Sequence, residues 1–148
     1  MPMQIDKIRS LALVIINHNN KTLVCPGHDK IKNVDFYRLI GGGIEFGETS
    51  LEALNREINE ELGTELSDCI LLNISENIFT YNGNNGHEIC FVYEAKFSDK
   101  TIYEKTELPI IDSDKGHTAI WIDITEENIK KIQPSGAQKF YNNTIDSL

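Results

Sequence analysis

Glu57, Glu60 and Glu61 stand three and four residues apart within the run GGGIEFGETSLEALNREINEELG, residues 41–63. On a helix those offsets put the three carboxylates in an arc of roughly 100°. Like charges so close repel by about 0.2–0.5 kcal/mol per adjacent pair, and they raise one another's pKa unless a cation neutralises them. Mg²⁺ or Mn²⁺ suits that role, because hard cations take oxygen ligands, and Mg²⁺ is typically held by one or two carboxylates together with substrate phosphates. The bland reading of the same residues is a solvated acidic helix face.

The surroundings favour a site. Arg56, next to Glu57, offers a permanently charged fork that can hold a carboxylate in a fixed orientation. Gly41, Gly42, Gly43 and Gly47 are too permissive for the interior of a helix or strand, and predict a tight loop whose backbone approaches something closely and can offer carbonyl oxygens. The element that must position the glutamates is a helix of roughly four turns. Thr49 is its candidate N-cap, with Glu52 completing a capping box, and Gly63 stands at the left-handed C-terminal cap. Leu51, Leu54, Ile58 and Leu62 form the apolar stripe that packs it on a core.

The spacing of Gly42, Glu48, Arg56-Glu57-Ile58, Glu60-Glu61 and Gly63 resembles the Nudix box, the motif of the Nudix hydrolases. Thr64 replaces the usual aliphatic residue at the last position, and Ile40 replaces the proline that often precedes the glycine pair. Both changes touch packing and loop stiffness more than ligands. The resemblance is strong over residues 36–64. It implies an α/β fold, the Nudix-type α/β/α sandwich with a mixed β-sheet. It also implies a metal-dependent hydrolase that splits the pyrophosphate linkage of a nucleoside diphosphate derivative.

Carried over by position, Glu57, Glu60 and Glu61 are the metal-binding carboxylates, with Glu57 also a candidate base and Gly41 offering its carbonyl. Arg56 orients the glutamates, and Glu48 acts through water or by fixing the loop. The identity of the general base stays open. Many Nudix enzymes draw another acid from the loop here spanning 98–118, where Asp112, Asp114 and Glu107 are the candidates in that order. Arg38, Gly42, Gly43 and His87 are the candidate substrate contacts. Phe36, Tyr37, Phe46, Phe79 and Tyr81 could stack on a base or simply pack. A nucleoside triphosphate or ADP-ribose is favoured over a capped RNA. The rival reading is a Nudix-like module that senses a nucleotide without hydrolysing it, which loss of box glutamates would favour; all are present. Homodimers are common in the family, but no sequence feature identifies an interface.

With 148 residues the chain reads as one domain, 1–148, and its formal charge of −9 argues against broad nucleic-acid binding, which needs a basic surface. No stretch approaches a membrane span, and MPMQIDKIRS lacks the apolar run of a signal peptide. Cys25, Cys69 and Cys90, odd in number and widely spaced, read as reduced thiols in a cytoplasmic protein.

The remaining elements follow from pattern. Residues 8–16 are a buried strand, turning at 18–21 into a second strand, 22–25, that Pro26-Gly27 ends. His28 reads as a solvated loop residue, and 36–40 as a strand leading into the glycine loop. Segments 69–75 and 78–81 are extended, Asn82 to Gly86 is a turn, and 88–97 returns with Ile89, Phe91, Tyr93, Ala95 and Phe97 on one face. The stretch 98–118 is polar and irregular. A strand over 119–124 carries Trp121 as a core residue, and Thr125 caps a short helix. Ser135 with Gln138 repeats the capping-box pattern before a last helix bearing Ala137, Phe140 and Tyr141.

Overall fold

The structure is a computed structural model and describes residues 6–111 and 116–146. Its strands are β1 (Ile8–Ile15), β2 (Asn17–His18), β3 (Lys21–Asp29), β4 (Val34–Arg38), β5 (Ile40–Gly43), β6 (Leu66–Tyr81), β7 (Asn84–Phe97), β8 (Glu107–Pro109), β9 (Thr118–Asp123) and β10 (Ile132–Gln133). The helices are α1 (Ser50–Leu62), α2 (Glu126–Ile129) and α3 (Asn142–Asp146), with 3₁₀ segments at Lys100–Glu104 and Ser135–Tyr141.

One sheet has the order β5-β1-β7-β6 and is mixed, with β1 parallel to β7 and antiparallel to β5. The second runs β10-β4-β3-β9-β8, with β2 paired to β3. Leu11 to Ile15 are all buried because β1 has a strand on each side and helical segments cover both faces of the layer. On one face Ala12, Val14, Tyr93, Ala95 and Phe97 meet Ala53, Leu54 and Ile58 of α1. On the other, Leu11, Leu13, Cys90 and Val92 meet Ile129, Ala137 and Tyr141 from the C-terminal segments. This is the expected α/β/α layering, with the alternating residues of β7 divided between two cores.

Two tight turns set the hairpins. Asn19-Asn20 and Asn82-Gly83 all have positive φ, which suits two-residue turns that match the strand twist. The second turn is therefore shorter than the Asn82–Gly86 stretch suggests, and β6 is continuous from Leu66 to Tyr81, including the 76–77 gap left by the pattern. A bulge between Leu71 and Asn73 interrupts the alternation there.

Other expectations are corrected. Pro26-Gly27 does not end β3, which changes partner instead: residues 21–24 pair with β9, and 25–29 pair with β4. Gly41, Gly42 and Gly43 are not a loop but strand β5, pairing with Leu13, Ala12 and Leu11. Leu51 is 40% exposed, and Ala53 takes its place against the core. The 98–118 stretch contains a 3₁₀ turn and β8. Ser135 caps nothing; the segment is 3₁₀, starts from Pro134, and the Gln138 amide donates to the carbonyls of Ile132 and Lys130. Among the described residues no helix is long and apolar enough to cross a membrane.

Candidate active site

The site is assembled from the outer face of α1 and the glycine strand beside it. Thr49 Oγ1 accepts from Glu52 N at 3.1 Å while Glu52 Oε1 accepts from Thr49 N at 3.0 Å, the reciprocal box expected from sequence. Gly63 closes the helix at φ 64°, donating to the Asn59 carbonyl. Ser50 Oγ and Tyr93 Oη, 2.5 Å apart, tie the start of the helix to β7. Thr64, where the motif departs from its usual aliphatic residue, is only 9% exposed, so its place is a packing one.

The glycines are explained by what surrounds them. A Cβ on Gly42 would lie 2.3 Å from the Glu57 carboxyl carbon, so its absence makes room for that carboxylate against the strand. A Cβ on Gly41 would lie 2.0 Å from the Ala12 carbonyl oxygen, and φ there is +146°. A side chain at Gly43 would meet the Arg9 guanidinium at 2.9 Å.

Arg56 ties the parts together. Its Nε and Nη2 donate to the two oxygens of Glu48 at 3.1 and 2.7 Å, and Nη2 also donates to the Gly43 carbonyl at 2.9 Å. Its Nη1 donates to Glu57 at 3.0 Å and to Glu60 at 3.2 Å. Glu48 also accepts from Glu45 N at 2.8 Å, which pins the loop ahead of α1. The Arg56 fork, and then the Glu45 amide, hold the Glu48 carboxyl below its usual range. The same bonds keep Arg56 charged.

Glu61 is drawn the other way. Burial, followed by its hydrogen bond to the Glu57 carboxylate and the charge of that group, pushes the Glu61 carboxyl up to about 8, partly offset by Arg38. Glu57 and Glu61 thus converge, while Glu60 is turned to Arg56 with its side chain 48% exposed. Among the described residues no three His, Cys, Asp or Glu side chains stand close enough to share one ion. The converging pair, with the space left by Gly42, has the donor chemistry that a hard cation uses.

The other candidates are placed unevenly. Arg38, at the end of β4, acts electrostatically on both Glu61 and Glu88. His87 lies on the α1 side of the sheet between Ile8 and Ile78, whereas its neighbour Glu88 lies on the opposite face, where Asn77 donates to it and Arg9 and Arg38 offset its burial. Arg9 and Asn77 carry no motif; the parallel pairing of β1 with β7 brings Arg9 in, and the antiparallel pairing of β6 with β7 brings Asn77. Glu107 is exposed in β8, and Asp112 and Asp114 lie outside the described residues. Phe36 and Tyr81 meet edge to face at 5.7 Å, and Phe46 is fully exposed. His28 is not in a loop but in β3, paired with Asp35 at 2.7 Å. Trp121 packs against the α1-side core and near Tyr103, as expected of a core residue.

A family model described as NUDIX domain matches residues 7–143. Among curated proteins, a Nucleoside triphosphatase NudI from Enterobacter sp. (strain 638) is 44% identical over 59 residues, covering 39% of this chain and 42% of the relative. An RNA pyrophosphohydrolase from Ruthia magnifica subsp. Calyptogena magnifica is 36% identical over 63 residues, covering 43% of this chain and 33% of the relative. The matched segments thus span less than half of either relative's length. A crystal structure of a MutT NUDIX hydrolase from Burkholderia pseudomallei superposes with a TM-score of 0.62 at 22% identity, covering 93% of this chain and 98% of that one. A NUDIX-family hydrolase from Clostridium perfringens gives 0.60 at 20% identity, covering 92% and 97%. At those identities the structural likeness concerns the fold.

Proposed function

The chain belongs to the NUDIX domain family, and on that premise we propose that it is a divalent-metal-dependent hydrolase cleaving the pyrophosphate linkage of a small nucleoside diphosphate derivative, with a nucleoside triphosphate or ADP-ribose as the leading candidates. The observation that carries this reading is the Glu57–Glu61 pair, two carboxylates within hydrogen-bonding reach of each other, with that of Glu57 filling the space a Cβ on Gly42 would take.

Glu57 and Glu61 are the pair that would hold Mg²⁺ or Mn²⁺, with the Gly41 carbonyl as a further oxygen, and Glu60 would join them only by leaving Arg56. The cation supplies positive charge against the phosphoanhydride and acidifies the attacking water. The chain does the rest. Arg56 holds Glu57 and Glu60 in place and ties them through Glu48 to the loop that follows β5. With a cation bound both carboxylates would be ionised, and Glu57 or Glu61 would take the proton from the attacking water. Arg38 offers a fixed positive charge to a substrate phosphate on the β4 side of the pair.

The test is phosphate or nucleotide release from nucleoside triphosphates, ADP-ribose, nucleotide sugars and diadenosine polyphosphates, with Mg²⁺ or Mn²⁺ and with EDTA as control. One metal-dependent substrate well above the rest supports the reading. Silence across the panel with nucleotide binding intact would put the sensing module first.

A further inference from the structure

α1 packs chiefly on β1 and β5, and the sheet runs on beyond it through β7 to β6. On that uncovered part of the face the register sets Ile8, His87 and Ile78 side by side, then Phe91 beside Ile74 and Tyr93 beside Leu71. Ile78 is 75% exposed, Ile8 61%, Ile74 55% and Leu71 45%. Ile74 and Ile78 lie about 13 Å apart along their strand, and Ile8 lies about 10 Å from Ile78 across β7, so these side chains form one patch.

The edge beside the patch is open. β6 is the last strand of its sheet, and among the described residues no turn or loop backbone bonds to residues 73–79. The irregularities of β6 lie before Asn73, and the ties from Lys32 to Thr80 and from Asp29 to Asn82 lie beyond Phe79. Between them the edge NISENIF keeps a regular register. Monomers usually blunt such an edge with lysine, proline or a bulge, because its free N–H and C=O groups accept a further strand. This stretch has none of the three, and Glu76 is its single charge. An open edge is completed by another strand, whose backbone supplies the missing hydrogen bonds.

We propose that this strand comes from a second copy of the chain, and that β6 pairs antiparallel with its own counterpart about a twofold axis perpendicular to the sheet. That axis keeps the α1 faces of both copies on one side, so the Ile74 and Ile78 rows continue from one protomer into its partner. The edge is consumed in both, and none is left for further growth. Charge favours the same contact. A chain with a formal charge of −9 repels its copies over most of its surface, and residues 73–79 bring only Glu76 to the junction. The interface is small: the shared edge is ~23 Å long, and with the flanking apolar side chains it comes near the lower bound of stable interfaces, about 600 Å² per protomer. The dimer therefore dissociates on dilution. None of this depends on the hydrolase reading of the Glu57–Glu61 site.

Analytical ultracentrifugation of the full chain, from low micromolar to millimolar concentration, reads the mass. The wild type is expected to pass from monomer to dimer and no further. Ile74→Lys and Ile78→Lys alter exposed side chains, so both should fold as the wild type does by circular dichroism, and each should raise the dissociation constant by about tenfold or more. Amide hydrogen exchange gives a second reading that the wild type alone decides: protection of residues 73–79 should rise with protein concentration. A wild type that stays monomeric throughout, a dimer that neither variant weakens, or protection of 73–79 that ignores concentration would overturn the proposal.

Discussion

Arg56 grips Glu48 through both carboxylate oxygens, at 3.1 and 2.7 Å, across eight residues of chain. The same guanidinium reaches Glu57, Glu60 and the Gly43 carbonyl, so one side chain joins the loop, the glycine strand and the acidic face of α1.

Lysine at position 56 keeps the charge and loses the fork. Arg56→Lys is expected to lower kcat by about 10- to 100-fold, in line with losses seen when residues that orient metal ligands are replaced. Circular dichroism should show the fold retained. Glu48→Gln should cost less, because Oε1 can still accept from Arg56. Steady-state kinetics of both variants beside the wild type are the check.

Adjacent glycines are expected to fail in different ways. In Gly42→Ala the new Cβ meets only the far end of Glu57, which can swing aside, so the protein should fold with a Tm near wild type and lose most of its activity. In Gly41→Ala the Cβ meets backbone at a positive φ, and stability should fall by about 1–3 kcal/mol. Equal Tm values for the two variants would contradict this assignment.

Glu61 ties stability to pH. Its folded pKa of about 8 lies above the usual 4.5, so between those values the unfolded chain ionises while the folded one stays protonated. Metal-free protein in EDTA should therefore lose stability from this group as pH rises from about 4.5 to about 8. Glu61→Gln should flatten that dependence and abolish metal-dependent turnover by orders of magnitude. Chemical denaturation at several pH values measures the first effect. A slope identical in wild type and variant would rule out the buried pair.

The caps of α1 are expected to matter for presenting the glutamates. Thr49→Ala removes one half of the capping box and should cost about 1 kcal/mol. Gly63→Ala forces a Cβ into a left-handed residue at φ 64° and should cost about 1–2 kcal/mol. Both are read as a lower denaturation midpoint with an unchanged m-value.

Much of the site was legible because its signals are local. A capping box and a left-handed glycine are set by neighbours in sequence, so Thr49, Glu52 and Gly63 were found where the structure has them. The 3.6-residue period brought Arg56, Glu57, Glu60 and Glu61 onto one side of the helix before any fold was known. Leu51 shows the limit of that reasoning, since the core meets the helix about Ala53 and leaves Leu51 outside.

What the residues alone determined is a capped helix that carries clustered carboxylates and an arginine, next to glycines whose freedom must serve some close approach. Only the tertiary structure decided what is approached. Gly41 and Gly42 are small because of Ala12, some thirty residues earlier, and Glu57, fifteen later, contacts that no local pattern encodes. Strand alternation likewise requires His87 and Glu88 to face opposite ways, but does not say which of them faces α1. That was settled when β7 paired in parallel with β1 and put Glu88 beside Arg9, because a strand's period of two is symmetric until a neighbour breaks it.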